Sequence, residues 1–170
     1  MPHSATDVSE ARYSRTQIAL HWTVVALVIV QWLTHDAMED FWDMVEDGEA
    51  SGLPGDPVAL LHMASGASIL VLMIVRVAVR LRSGAPPLPA GMPRLLKLAA
   101  HLNHLAFYAI LILLPLSGAT AIFLGIEDSA DLHGALVPLL FLLIAAHIGG
   151  VIYHTFIRRD GLIWRMLRPG

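Results

Sequence analysis

Residues 68–75 read Ser68-Ile69-Leu70-Val71-Leu72-Met73-Ile74-Val75, a run with no polar stripe at helical spacing. A surface helix of a soluble domain alternates apolar and polar faces, so a helix that is apolar all round is surrounded by apolar material. The run belongs to an apolar stretch from about 58 to 79, and three others lie at about 16–34, 101–124 and 134–157. Each has about 20 residues, enough to cross ~30 Å of hydrocarbon as a helix. The 170-residue chain is 56% hydrophobic and 15% charged, with mean hydropathy +0.64, which is too oily for a soluble domain. The expected fold is all-α: one domain over 1–170, a four-helix transmembrane bundle without internal repeats.

Charge placement orients this bundle. All eleven basic residues fall on one side of the four spans: Arg12, Arg15, Arg76, Arg80, Arg82, Arg94, Lys97, Arg158, Arg159, Arg165 and Arg168. The segment 35–57 carries Asp36, Glu39, Asp40, Asp43, Glu46, Asp47, Glu49 and Asp56, and 125–132 carries Glu127, Asp128 and Asp131. Positive charge stays on the cytoplasmic side during insertion, so both termini are expected in the cytoplasm and the two acidic segments outside, as loops. The first apolar stretch is read as a retained helix. It is longer than a signal-peptide core, contains His21, Trp22, Gln31 and Trp32, and has no small-x-small cleavage site.

Cysteine is absent, which removes disulfides, iron–sulfur ligation and covalent c-type haem attachment. Phosphate-binding loops, dinucleotide fingerprints and H-E-x-x-H are absent too, and no nucleic-acid partner is expected. What remains is histidine chemistry in a membrane. An imidazole in hydrocarbon is costly unless it has a partner. His21 lies just inside the cytoplasmic start of the first span, and His147 reaches the same half from the last. His62 and His133 begin the second and fourth spans on the outer side. Direction and depth thus pair His21 with His147 and His62 with His133. Along the last span, His133 and His147 are 14 residues apart, or ~21 Å, and 14 steps of 100° return them to within about 40° of one another. Two axial imidazoles per level match six-coordinate haem, held non-covalently. The small residues Gly66, Gly134, Ala135 and Gly150 beside these histidines suit a flat macrocycle, or simply close helix packing.

Arg76 lies 14 residues after His62, near the depth of the inner pair, where it can meet a haem propionate or a quinone oxygen; the alternative is snorkelling toward lipid head groups, the reading for Arg80 and Arg82. His101 and His104, one turn apart, and His154, seven residues beyond His147, are candidates for a quinone site or its proton relay; the alternative is interfacial anchoring. His3 and His35 read as solvent-facing or loop residues. Pro115 is expected to kink the third span, and Ala85-Pro86-Pro87-Leu88-Pro89 to form a stiff inner loop. The reading from another class is a haem-free membrane metal-binding or scaffold protein. Structural zinc wants four N or S ligands, however, and each level offers two histidines with at best some loop carboxylates.

Several segments in order carry a family resemblance: Tyr13-Ser14-Arg15 with Ile18-Ala19-Leu20-His21-Trp22, Leu61-His62-Met63-Ala64-Ser65-Gly66 followed by Arg76, His101 with His104, Leu114-Pro115-Leu116-Ser117-Gly118, and His133 with His147. The chain resembles bacterial cytochrome b561 from about Tyr13 to Arg168. The resemblance implies that His21, His62, His133 and His147 ligate two b haems, in a multi-pass protein of the bacterial inner membrane that exchanges electrons with the ubiquinone pool. Some members resemble superoxide oxidases, which take an electron from periplasmic superoxide and deliver it to quinone, so enzyme and electron carrier both stay open. Eleven carboxylates and no basic residue in the outer segments disfavour steering an anion. They suit a basic periplasmic cytochrome c.

Overall fold

A computed structural model describes residues 12–88 and 91–168; His3 and Pro89 lie outside the described residues. These are all-helical, and four helices are long and apolar enough to cross a membrane. Helix α1 spans Arg15–Leu33, α2 His35–Glu46, α3 Pro57–Ser83, α4 Arg94–Leu124 and α5 Glu127–Ile152; α5 runs on into a π-helical turn, Tyr153–Arg158, and a short α6 covers Trp164–Leu167.

Local sequence explains the boundaries. Ser14-Arg15-Thr16-Gln17 forms a capping box: Ser14 Oγ accepts from the Gln17 amide at 3.2 Å, and Gln17 Oε1 accepts from the Ser14 amide at 3.0 Å. At α3, the Asp56 carboxylate caps the Val58 amide at 3.0 Å and Pro57 occupies the first turn, where its missing N–H costs nothing. Helix α4 ends at Gly125, φ +63°, and only Gly125 and Ile126 separate it from α5. The spans are longer than hydropathy alone marks them, because Arg80, Arg82, Arg94 and Lys97 at one end and Glu127, Asp128 and Asp131 at the other continue the helices into polar surroundings. Pro115 and Pro138 lie inside α4 and α5, each helix continuing through its proline; the missing N–H frees the carbonyls of Leu111 and Gly134 from the usual bond.

The acidic segment after α1 is not the loop expected from its charge. It folds as α2, with His35 exposed in its first turn. Ala37, Phe41 and Met44 recur at i, i+4 and i+7 on one face, and Phe41 is buried where α2 packs on α3. The carboxylates occupy the remaining faces.

Side-chain bonds set the directions of the spans. Gln17 Nε2 donates to the Gly84 carbonyl at 2.9 Å, tying the start of α1 to the end of α3, and Gln31 Nε2 donates to the His62 carbonyl at 2.6 Å, tying the end of α1 to the start of α3. Asn103 Nδ2 donates to the Leu143 carbonyl at 3.3 Å across antiparallel α4 and α5. Val24, Ile69, Met73, Ile110, Leu111, Leu114 and Leu140, drawn from all four spans, form the apolar core. Large apolar side chains such as Val71, Ile74, Leu113 and Leu142 face outward, as a lipid surround requires. Close packing runs from α1 to α3, α3 to α4 and α4 to α5. Helix α5 packs less closely against α1 and α3 than against α4, meeting them through core residues such as Leu140.

Candidate functional site

The four intramembrane histidines lie at two levels along the spans and are each half-buried. At the arginine-rich end, the His21 and His147 rings approach from α1 and α5 with centroids 6.4 Å apart and planes at 59°. Two metal–nitrogen bonds of ~2.0–2.1 Å on opposite sides of one ion, together with two ring half-widths, give a separation of this size. The helices bearing these rings do not themselves pack closely, so a flat group between them is sterically compatible. His104 and Phe107 of α4 meet the His147 ring edge-on at 5.5 and 5.7 Å, and Trp22 does the same to His21 at 5.2 Å. Arg76 is within electrostatic range of both histidines. Its Nη1 is buried and has no hydrogen-bond partner among the described residues, the condition expected of a guanidinium that awaits a carboxylate or carbonyl oxygen.

At the acidic end the histidines are held by their Nδ1 atoms. The buried Thr34 hydroxyl donates to the Val30 carbonyl at 2.8 Å, so its oxygen serves as acceptor for His62 Nδ1–H at 3.2 Å. Gln31 Nε2 bonds both the His62 carbonyl and Ser65 Oγ at 2.6 Å and locks that turn of α3 against α1. On α5, His133 Nδ1 lies 2.8 Å from the Leu114 carbonyl, which can only accept, so the proton resides on Nδ1. Ser117 Oγ donates to the same carbonyl at 2.9 Å. Both rings therefore keep the Nε2 lone pair for a metal, the arrangement that orients ligating imidazoles generally.

The glycines differ in what surrounds them. A Cβ on Gly66 would rest 3.6 Å from Gln31 Nε2, so this glycine lines the α1–α3 contact. A Cβ on Gly118 would come within 3.2 Å of His133 Nδ1, making the small residue a condition for that ring's position. Gly134 and Gly150, both exposed, face no protein atom within 4 Å. Among the described residues, the one group of three donors within 4.8 Å is His35, Asp36 and Glu39, all exposed at the start of α2.

The remaining histidines separate. His101 and His104 are exposed on α4, each bonded through Nδ1 to the carbonyl four residues back, Lys97 at 3.3 Å and Ala100 at 2.6 Å, leaving Nε2 outward. His154 is buried in the π-helical turn, with Nδ1 2.6 Å from Asp160 Oδ2; Arg158 Nε lies 3.4 Å from the same oxygen. Burial alone would raise the Asp160 carboxyl. The His154 hydrogen bond, the Leu162 amide and the Arg158 charge outweigh that and hold it below the usual carboxylate range. Thr34, Phe107 and Asp160 are neighbours of these histidines that the sequence did not single out. Gln31 and Thr34, polar residues at the end of an apolar run, carried the visible signal.

The profile of the prokaryotic cytochrome b561 family matches residues 12–169. A cytochrome b562 of Cereibacter sphaeroides is 32% identical over 160 residues, covering 94% of this chain and 98% of that protein. A probable superoxide oxidase CybB of Yersinia pestis is 27% identical over 178 residues, with 92% and 96% covered, and a cytochrome b561 homolog 1 of Escherichia coli 28% over 177 residues, with 92% and 97% covered. A bundle of four apolar spans with histidines at two levels, matched end to end by this profile, makes the chain a member of the prokaryotic cytochrome b561 family, multi-pass electron-transfer proteins of the bacterial inner membrane.

Proposed function

We propose that this chain binds two b haems, one between His21 and His147 and one between His62 and His133, and passes single electrons between the ubiquinone pool and a partner at its acidic face. The 6.4 Å approach of the His21 and His147 rings from α1 and α5 is the observation that carries the reading. Haem b supplies reversible one-electron exchange at its iron when bound. The chain's part would be to hold the group through these histidines, fix their rings and exclude water. With both termini cytoplasmic, the acidic face is periplasmic.

Arg76 directs its unpartnered Nη1 to a propionate or a quinone oxygen in this arrangement. His101, His104 and His154 attend the quinone head group. His101 and His104 present Nε2 as acceptor, and His154, its Nδ1–H held by Asp160, takes up or releases a proton at Nε2.

The partner at the acidic face is a cationic protein such as a periplasmic cytochrome c, because α2 and the segment from it to the N-cap of α3 hold eight carboxylates and the first turns of α5 three more. Reconstituted protein supplied with ubiquinol should reduce a cationic cytochrome c at a rate that falls steeply as the screening length shrinks from ~30 Å at 0.01 M salt to ~8 Å at 0.15 M. A salt-independent rate would reject this partner. The likeness to a probable superoxide oxidase favours a second reading, superoxide:ubiquinone oxidoreduction. Quinone reduction driven by a steady superoxide source, exceeding transfer to the cytochrome, would select it.

The Thr34 bond gives the reading a test by potential. A hydrogen bond from Nδ1–H raises the basicity of the ligating imidazole and stabilises the oxidised metal. Thr34→Val should keep both haems, raise the midpoint potential of one and alter one low-spin resonance signal; Thr34→Ser should restore both values. Unchanged potentials would remove Thr34 from the site.

A further inference from the structure

A basic cavity lies where the C-terminal segment meets the start of the chain. About 290 Å³ in volume, it is lined by Arg12, Asp160, Gly161, Trp164, Arg165 and Arg168. Contacts with three other parts of the chain build it. Trp22 Nε1 of α1 donates to the Met166 carbonyl at 3.0 Å, and Arg165 Nη1 donates at 2.6 Å to the carbonyl of Pro87 in the linker after α3, so α6 is tied down at both sides. Arg168 stacks its guanidinium 4.6 Å above the Trp164 ring.

The charges do not balance. Three guanidiniums line the cavity against one carboxylate, and that carboxylate is already engaged by His154, Arg158 and the Leu162 amide. Arg165 uses one of its five donors on Pro87 and Arg168 offers a ring face to Trp164, so both forks are held in place with donors to spare. The cavity sits at the arginine-rich end of the spans beside an exposed tryptophan, the level at which lipid head groups meet a membrane protein. Basic pockets of this kind are suited to phosphate oxygens.

We propose that this cavity binds the phosphate of an anionic phospholipid, whose acyl chains lie along the outward apolar faces of the adjoining spans. The site is separate from the His21–His147 and His62–His133 levels, although Asp160 in its lining also holds His154. Holoprotein in neutral maltoside detergent, stripped of lipid, is presented by native mass spectrometry with dioleoyl phosphatidylglycerol, with dioleoyl phosphatidylcholine and with inorganic phosphate. The expected result is retention of phosphatidylglycerol about tenfold more tightly than phosphatidylcholine, with inorganic phosphate far weaker than either. Arg165→Gln with Arg168→Gln should erase that preference while leaving the haem spectrum intact. Should that double variant fail to yield holoprotein, Arg12→Gln, which lies ahead of α1 and outside the helix contacts, should still weaken phosphatidylglycerol selectively. Equal retention of the two lipids, a preference that survives the arginine variants, or inorganic phosphate bound as tightly as phosphatidylglycerol would each overturn the assignment.

Discussion

His147→Ala should yield protein with one b haem per chain instead of two, and His21→Ala should do the same. The two rings face each other from α1 and α5 at 6.4 Å, so losing either leaves an iron with one protein ligand at a site where the flanking helices offer no substitute donor at the same contact. His104 is the nearest imidazole, 5.5 Å from His147, but its Nδ1 is bonded to the Ala100 carbonyl and its ring stands nearly perpendicular to that of His147. The other level draws on His62 and His133, which are held by Thr34 and the Leu114 carbonyl and share no hydrogen bond with the first pair. The reduced α-band should therefore fall by about half, and the complementary variants His62→Ala and His133→Ala should remove the other half. Pyridine haemochrome analysis with iron counting checks the stoichiometry. Retention of two haems in His147→Ala would exclude His147 as a ligand, and His21→Ala together with His62→Ala tests the pairing, since the two levels should then both be empty.

Asp160→Ala should be the most damaging change outside the histidine levels. Removing the carboxylate strands a buried imidazole and a half-buried guanidinium, and an unpaired buried polar group costs ~1–3 kcal/mol. The same carboxylate accepts from the Leu162 amide and so shapes the turn that leads to α6. The pH dependence follows from the depressed carboxyl: its contribution to stability is present above the unfolded value of ~3.9 and is lost as pH falls through the lower folded value. Thermal melts of wild type and Asp160→Ala in detergent should differ at neutral pH and converge as the medium is acidified below about pH 4. Equal melts at neutral pH would show the pair to be without consequence for stability.

The spans were legible because hydrocarbon imposes one rule, apolar side chains on every face, and residues such as Ile69 to Val75 obey it without exception. Their ends were less so. Arg94 and Lys97 belong to α4 as much as Phe107 does, yet hydropathy falls where the helix leaves the lipid, and the backbone bonds that continue it leave no mark on composition. Helix α2 was obscured by the same logic: Asp36, Glu39, Asp40 and Asp43 dominate the segment, and the sparse Ala37, Phe41 and Met44 face emerges only on reading period rather than charge. At the site, the depth argument placed His21 opposite His147, and the two rings lie 6.4 Å apart. No sequence rule announces that a carbonyl such as Leu114 will receive a ring proton, since every residue carries one. The burial of His154 beside Asp160 likewise depends on a π-helical turn and on Arg159 in the left-handed region, local departures that spacing arithmetic cannot foresee.

Helix α5 carries both His133 and His147, so the vertical interval between the two imidazole levels is a property of a single rod, clamped to α4 by a two-residue hinge at Gly125 and Ile126. One residue inserted anywhere between them would swing His147 by 100° about the axis and lift it by ~1.5 Å, turning it from α1 toward lipid. The interval between the two imidazole levels is thereby insulated from the connecting segments, which are free to change their charge while the gauge stays the same.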